Sequence, residues 1–230
     1  MTPYSGLSLT ARSWRRLAAF MLFMAVLIFL PVRTLDYWQG WVYLGLFAAC
    51  CALTTASLLK HDPALVARRL EVGPKAEREP AQKRIQLIAT ACLILLYVVS
   101  ALDYGRAWSF VPMSVVLIGD LLTVLGFAVM YRVFRENSFA AATVTLSEGQ
   151  HVIATGPYAR VRHPMYAGAL LLFLGTPLAL GSWWGLAVFI PSVGVLVARL
   201  QDEEQFLLRN LAGYDDYRSR VRFRLVPGIW

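Results

Sequence analysis

Charge is scarce in this chain. Only 16% of its 230 residues are Asp, Glu, Lys or Arg, against about 25% in a soluble globular domain. Acidic residues are the rarer sign, 14 against 22 Lys and Arg. Cysteine and histidine number three each. Cys50, Cys51 and Cys92 all fall inside apolar runs, which argues against a disulfide framework and leaves them as small packing residues. His151 and His163 lack a second His or Cys at ligand spacing, so no metal is expected. There is no glycine-rich phosphate loop, no repeat and no low-complexity segment. The first apolar run is long, is followed by others and lacks a small-residue cleavage site, so it reads as a span and not a signal peptide.

Hydrophobic residues make up 58% of the chain and the mean hydropathy is +0.55. The fold expected is therefore all-α and integral to a membrane. Apolar runs at 17–32, 38–59, 85–102 and 110–134 are long enough to cross hydrocarbon about 30 Å thick. A further block, 165–198, is split by Gly181-Ser182-Trp183-Trp184-Gly185. It reads as a hairpin of two shorter helices, each interrupted by a proline, Pro177 and Pro191. Five to six transmembrane helices result, with a C-terminal hairpin and a cytoplasmic pocket. We expect one membrane domain over 1–230, with scaffold spans in 1–110 and the chemistry in 119–230.

The net charge of +8 suggests a nucleic-acid partner, but its distribution argues otherwise. Arg12, Arg15 and Arg16 precede the first span, and the 60–84 loop and the tail from Arg199 onward hold most of the rest. Only Arg33 and Arg106 fall in the opposite loops. That alternation is the positive-inside pattern. It places both termini in the cytoplasm of an inner membrane of bacterial type, a basic face against lipid headgroups and no nucleic acid. A short interfacial helix is expected near 64–70, with Arg68 and Arg69 toward headgroups. Asp36-Tyr37-Trp38 and Trp41 resemble an aromatic belt on the far side.

Chemistry-bearing residues concentrate late in the chain. A span ends in Tyr131 to Phe139, through Asn137. A polar connector, 143–154, carries a turn at Ser147-Glu148-Gly149. Thr155-Gly156-Pro157 opens a short helix, with proline at its first position. Pro164 stops that helix and can open the next. Tyr158 and Arg162 then share a face at i,i+4, and the kink turns His163 and Tyr166 toward one cavity. On the final helix, steps of 100° put Leu196, Leu207 and Leu211 within roughly 40° of Leu200. Glu203 and Glu204 flank that apolar stripe, Arg199 lies one turn before Glu203, and Asp202, Gln205 and Arg209 take the wet face. A glutamate against an apolar stripe needs a cation or hydrogen-bond donors.

Asn137-Ser138-Phe139, His151 through Tyr158, Arg162-His163-Pro164-Met165-Tyr166-Ala167-Gly168, Arg199-x-x-x-Glu203-Glu204, Gly213-Tyr214-Asp215-Asp216-Tyr217 and the closing Val221…Pro227 together resemble the isoprenylcysteine carboxyl methyltransferase family. These are membrane methyltransferases related to phospholipid N-methyltransferases. The resemblance covers nearly half the chain. It implies S-adenosyl-L-methionine bound at the cytoplasmic side and a lipophilic or lipid substrate arriving from the bilayer. It also implies cofactor contacts from His151, Val152, Ile153 and Ala154, an enclosure of Tyr158, His163, Pro164, Met165 and Tyr166, and a polar grip from Glu203 with Glu204 beside it. Arg199 would face the acceptor, with Arg162 and Asn137 as further catalytic candidates. The segment ahead of Tyr158 is one residue shorter than in the eukaryotic enzymes, which leaves the register of His151 to Ala154 open by one position.

These residue types suit methyl transfer. A carboxylate acceptor needs no base, only a cation such as arginine to hold it bidentately. An amine or thiol acceptor would need deprotonation by His163 or a glutamate. Tyr158 and Tyr166 offer π faces to adenine or a sulfonium. Carboxyl O-methylation is the favoured reaction. The alternatives are an NADPH-dependent membrane reductase of the sterol-reductase type, with Arg160 and Arg162 as its phosphate site, and a non-catalytic lipid-binding scaffold.

Overall fold

In the computed structural model the described residues are 7–70, 80–140, 143, 146 and 149–230. They form eight helices and no strand: α1 Leu9–Val32, α2 Trp38–His61, α3 Pro63–Leu70, α4 Pro80–Arg106, α5 Met113–Glu136, α6 Pro164–Ala179, α7 Trp184–Asn210 and α8 Tyr214–Arg220, with a 3-10 turn at Gly156–Ala159 before α6. Five of these, α1, α2, α4, α5 and α7, are long and apolar enough to cross a membrane. α6 is apolar but only 16 residues long. Leu22, Leu30, Leu53 and Ile190 are each about two-thirds exposed or more, as side chains facing lipid would be.

Local chemistry sets most of the helix ends. Ser8 caps α1 by accepting from Ala11 N at 3.2 Å, and Asp62 caps α3 through Leu65 N at 2.9 Å, with Pro63 at the first position, where a missing N–H costs nothing. The C-terminal hairpin differs from expectation in its second arm. α7 is 27 residues long and carries Pro191 inside it; it does not stop near Ala198. No breaker separates that apolar stretch from Leu200-Gln201-Asp202-Glu203-Glu204, so the second arm and the glutamate-bearing helix are one element. The one-turn helix at Gly156–Ala159 likewise ends before Arg162, so the i,i+4 face expected for Tyr158 and Arg162 does not form.

The turns that join α1 to α2, α4 to α5 and α6 to α7 come together at one end of the bundle. Asp103, fully buried, accepts from Ser109 Oγ at 2.7 Å, Ser182 Oγ at 2.6 Å and Trp184 N at 3.2 Å. Tyr37 donates to Leu180 O at 2.6 Å and Tyr104 to Asp36 O at 3.2 Å. Midway down, Tyr43 meets Tyr97 at 2.9 Å and Thr176 at 2.8 Å. α3 and the described residues of the 137–163 connector lie at the opposite end.

Arg68 and Arg69 correct the expected interfacial helix. α3 exists, but Arg68 donates to Ser138 O and Arg69 to Ala140 O at 3.0 Å, with the Arg69 guanidinium 4.3 Å over the Phe134 ring. The connector after α5 exposes carbonyls there, and arginine donors answer them. Asp202 also leaves the wet face, because Gln82 Nε2 on α4 donates to it at 2.6 Å; Gln205 and Arg209 remain exposed. The turn expected at Ser147-Glu148-Gly149 falls partly outside the described residues, as do Gly73 and Pro74.

α5 and α6 touch along glycines. A Cβ at Gly126 would lie 2.8 Å from Gly168 O, and one at Gly175 would lie 2.7 Å from Gly119 O. Small residues allow this backbone approach, which in lipid replaces the hydrophobic drive toward helix association. Gly175→Ala and Gly126→Ala should therefore each cost about 1–3 kcal/mol by overpacking. Gly45→Ala, where nothing lies within 4 Å, should be neutral. Thermal unfolding in detergent measures the contrast, and equal midpoints for all three would contradict the seam.

Candidate active site

The α6 start makes the corner on which the site is built. His163 is the N-terminal cap and Pro164 the first helical residue, as their order in the sequence suggested. The C-terminal tail folds back onto this corner: Arg162 N donates to Phe223 O and His163 N to Arg224 O, both at 2.9 Å. Trp230 O closes the tail by accepting from the amides of Arg224 and Leu225 at 2.9 Å.

Glu204 holds the assembly together. Only 4% exposed, it accepts from Arg162 Nε at 2.6 Å and Arg224 Nε at 2.9 Å, with His163 Nε2 3.8 Å away. Arg162 Nη1 also reaches Val221 O and Arg222 O, each at 2.8 Å. The structure thus separates the two glutamates. Glu204 is a buried ion-pair partner and does not line the cavity, because the two arginines draw its carboxylate toward the tail. Glu203 does line it.

That first cavity collects most of the expected residues. His151, Val152 and Ile153 form one edge, with Asn137 and Tyr158 beside them; Arg162, His163, Pro164, Met165 and Tyr166 form the floor; Glu203 faces them from α7. Ala154 does not line it. Asn137 caps α5 and has both ends of its amide engaged: Nδ2 donates to Tyr158 Oη and Oδ1 accepts from Phe139 N, each at 2.9 Å. Tyr217 Oη donates to Tyr158 O at 2.8 Å. Burial pushes the Tyr158 phenol up to about 12 and raises Tyr214 and Tyr217 as well, so all three stay neutral. Gly156 has φ 56, where a Cβ would lie 2.7 Å from Glu136 Oε2; Thr155 donates to the same carboxylate.

Arg199 lies outside this cavity and lines a second one, of about 180 Å³, between α4, α6 and α7. Its walls are mainly apolar, from Ala89, Cys92, Ala169, Phe173 and Leu196, with Gln86 and Arg199 as polar groups at one end. Tyr166 borders both cavities. Its hydroxyl donates to Glu203 Oε2 at 2.5 Å and accepts from Arg199 Nε at 3.2 Å, while Arg199 Nη1 donates to Gln86 Oε1 at 2.7 Å. Gln86, Arg224, Tyr214 and Tyr217 were not singled out from sequence as site residues. The alternating arginines at 220, 222 and 224 and the Tyr214/Tyr217 spacing were the signals available.

If Glu204 is structural and Glu203 is not, two amide substitutions should diverge. Removing one partner of a buried charge pair costs about 3–5 kcal/mol. Glu204→Gln should lower the unfolding midpoint and expose 221–230 to protease, while Glu203→Gln should leave both near wild type. Indistinguishable stability and cleavage would contradict this division.

Comparison with known proteins agrees with the architecture. Residues 114–212 match the family model described as phospholipid methyltransferase. Among curated proteins none matches the sequence. Among solved structures, the eukaryotic intramembrane Ras methyltransferase isoprenylcysteine carboxyl methyltransferase, determined without a monobody, is similar at a TM-score of 0.51 and 18% identity, over 93% of this chain and 75% of that one. The match to the phospholipid methyltransferase model is confined to 114–212, and over nearly its whole length the chain shares the fold of the isoprenylcysteine carboxyl methyltransferase.

Proposed function

We propose that this protein transfers a methyl group from S-adenosyl-L-methionine to a carboxylate on a lipophilic, membrane-partitioned acceptor, with the cofactor in the first cavity and the acceptor in the second. The observation that carries this reading is Tyr166, a shared wall whose hydroxyl bonds Glu203 on one side and Arg199 on the other. A polar donor site and an apolar acceptor site thus meet at one side chain.

The first cavity suits such a cofactor. Among the described residues one buried polar atom on its lining, Tyr214 Oη, has no hydrogen-bond partner, and buried polar atoms left unpaired are costly. Glu203 offers a carboxylate to an ammonium or ribose, and Tyr158 and Tyr166 offer π faces. The enclosed space is about 100 Å³, with Phe139 and His151, which meet ring edge to face at 5.4 Å, among its lining. The bound cofactor supplies an electrophilic methyl on a sulfonium. The chain aligns and desolvates the reactants, and Arg199, held by Tyr166 and Gln86, presents its guanidinium to the acceptor carboxylate. Arg162 and Asn137 position the walls: Arg162 through Glu204 and the tail, Asn137 through Tyr158.

In this reading the catalytic part is 119–230 together with Gln86, Ala89 and Cys92 of α4, which wall the acceptor cavity from within the 1–110 scaffold. The reading also carries an orientation with the first cavity and both termini in the cytoplasm, since Arg33 and Arg106 alone among the spans' flanking arginines lie at the turn end. A reporter fused after Trp230 should accordingly report from the cytoplasm.

S-Adenosylhomocysteine should raise the thermal midpoint of the detergent-solubilised protein, in proportion to ligand excess over Kd, whereas NADPH should not. Stabilisation by NADPH alone would instead select the reductase reading. Glu203→Gln should diminish the shift; Arg199→Ala should preserve it and cut turnover about a hundredfold, as misplacement of a reactant does. Transfer from radiolabelled cofactor onto a membrane lipid extract reads the turnover, and an Arg199→Ala enzyme with wild-type rates would overturn the acceptor assignment.

A further inference from the structure

A third cavity lies on a different face of α6 from Arg199. Of about 340 Å³, it is enclosed by α1, α2, α5 and α6. Its lining is largely apolar, from Phe20, Phe47, Phe127, Met130 and Leu172, with Thr54 and Thr55 contributed by α2. One lining group is charged, Arg69, at the end closed by α3. Among the described residues no carboxylate pairs with Arg69, which meets the carbonyl of Ala140, the Phe134 ring and Met165 Sδ at 3.9 Å and has the Tyr158 phenol nearby. Burial lowers its pKa to about 10, still well above neutrality.

The same end is ringed by further cations. On α1, Arg12, Arg16 and Phe20 recur at i, i+4 and i+8 and so share a face, which leads from a shallow basic pocket of Arg12, Arg15, Arg16 and Ala19 to the apolar cavity. Arg16 donates to Leu70 O, next in sequence to Arg69. A half-buried guanidinium with no carboxylate partner among the described residues, at the basic end of a largely apolar space, is complementary to an anionic head on apolar chains.

We propose that this cavity binds an anionic glycerophospholipid from the surrounding leaflet, its phosphate among Arg69, Arg16 and Arg12 and an acyl chain against Phe47, Phe127 and Leu172. The site is separate from the proposed acceptor cavity and does not depend on the methyl-transfer reading. It engages a membrane lipid as a resident ligand, not a substrate.

The test uses the full chain, stripped of lipid in detergent and offered equimolar dioleoylphosphatidylglycerol and dioleoylphosphatidylcholine, with bound lipid counted by native mass spectrometry. One phosphatidylglycerol per chain should be retained in preference to phosphatidylcholine, by about fivefold for each arginine engaged. Arg69→Gln and Arg16→Gln should each reduce the preference by about that factor. Phe127→Trp, which fills the cavity, should lower loading of both lipids, and Arg199→Ala should change nothing. On the unmodified protein, a phosphatidylglycerol carrying a diazirine in its acyl chain should crosslink to α1, α2, α5 or α6, which keeps the proposal falsifiable where a variant does not fold. Equal retention of the two lipids, a preference that survives both glutamine variants, displacement by inorganic phosphate or palmitate alone, or crosslinks confined to α4 and α7 would each overturn it.

Discussion

The buried carboxylate of Glu204 is the constraint on which the active end of this molecule depends. An ionised group at 4% exposure persists only when opposite charge and hydrogen bonds replace the water it lost. Arg162 and Arg224 supply both, and they come from the corner before α6 and from the C-terminal tail. One carboxylate on α7 therefore joins three parts of the chain distant in sequence. With the tail docked, Arg162 and His163 receive their backbone partners from Phe223 and Arg224, and the floor of the first cavity has its shape.

Glycine packing sets the second reference. Because Gly126 and Gly168 let α5 and α6 approach backbone to backbone, the start of α6 lies against the end of α5, where Asn137 positions Tyr158. The same placement brings Tyr166 between two cavities of different character. The first is edged by the connector and by tyrosines that burial keeps neutral; the second is largely apolar and lies among helices long enough to span lipid. In the proposed reaction, one hydrogen-bonded phenol would separate a polar donor from a greasy acceptor, each arriving from its own phase.

Much of the fold was legible because lipid leaves few choices. Apolar runs must be helical when no water is present to pair the backbone, so the spans followed from composition and the start of α6 from His163-Pro164. Of the site, the Gly156 to Gly168 stretch and the Arg199/Glu203 spacing led to the cavity residues. What misled was side-chain direction. Arg68 and Arg69 carried the charge expected of headgroup contacts but turned to the carbonyls of Ser138 and Ala140. Asp202 had an exposed register on its own helix, yet Gln82 of α4 covers it. A helical wheel sees one helix and cannot include what packs against it.

The two adjacent glutamates mark the boundary most sharply. From the order of its residues, the chain determined that it is a bundle of membrane-length helices, that proline opens α6 beside an arginine and a histidine, and that carboxylates lie along the apolar stripe of α7. Those are consequences of local sterics and hydrophobic periodicity, which short stretches of chain settle alone. Only the tertiary structure decided that Glu204 would be neutralised by the tail while Glu203 remained for the cavity, and that Arg199 would face a different space from Glu203. Such outcomes depend on which distant cations and donors arrive nearby, a matter of packing between elements that no periodicity encodes.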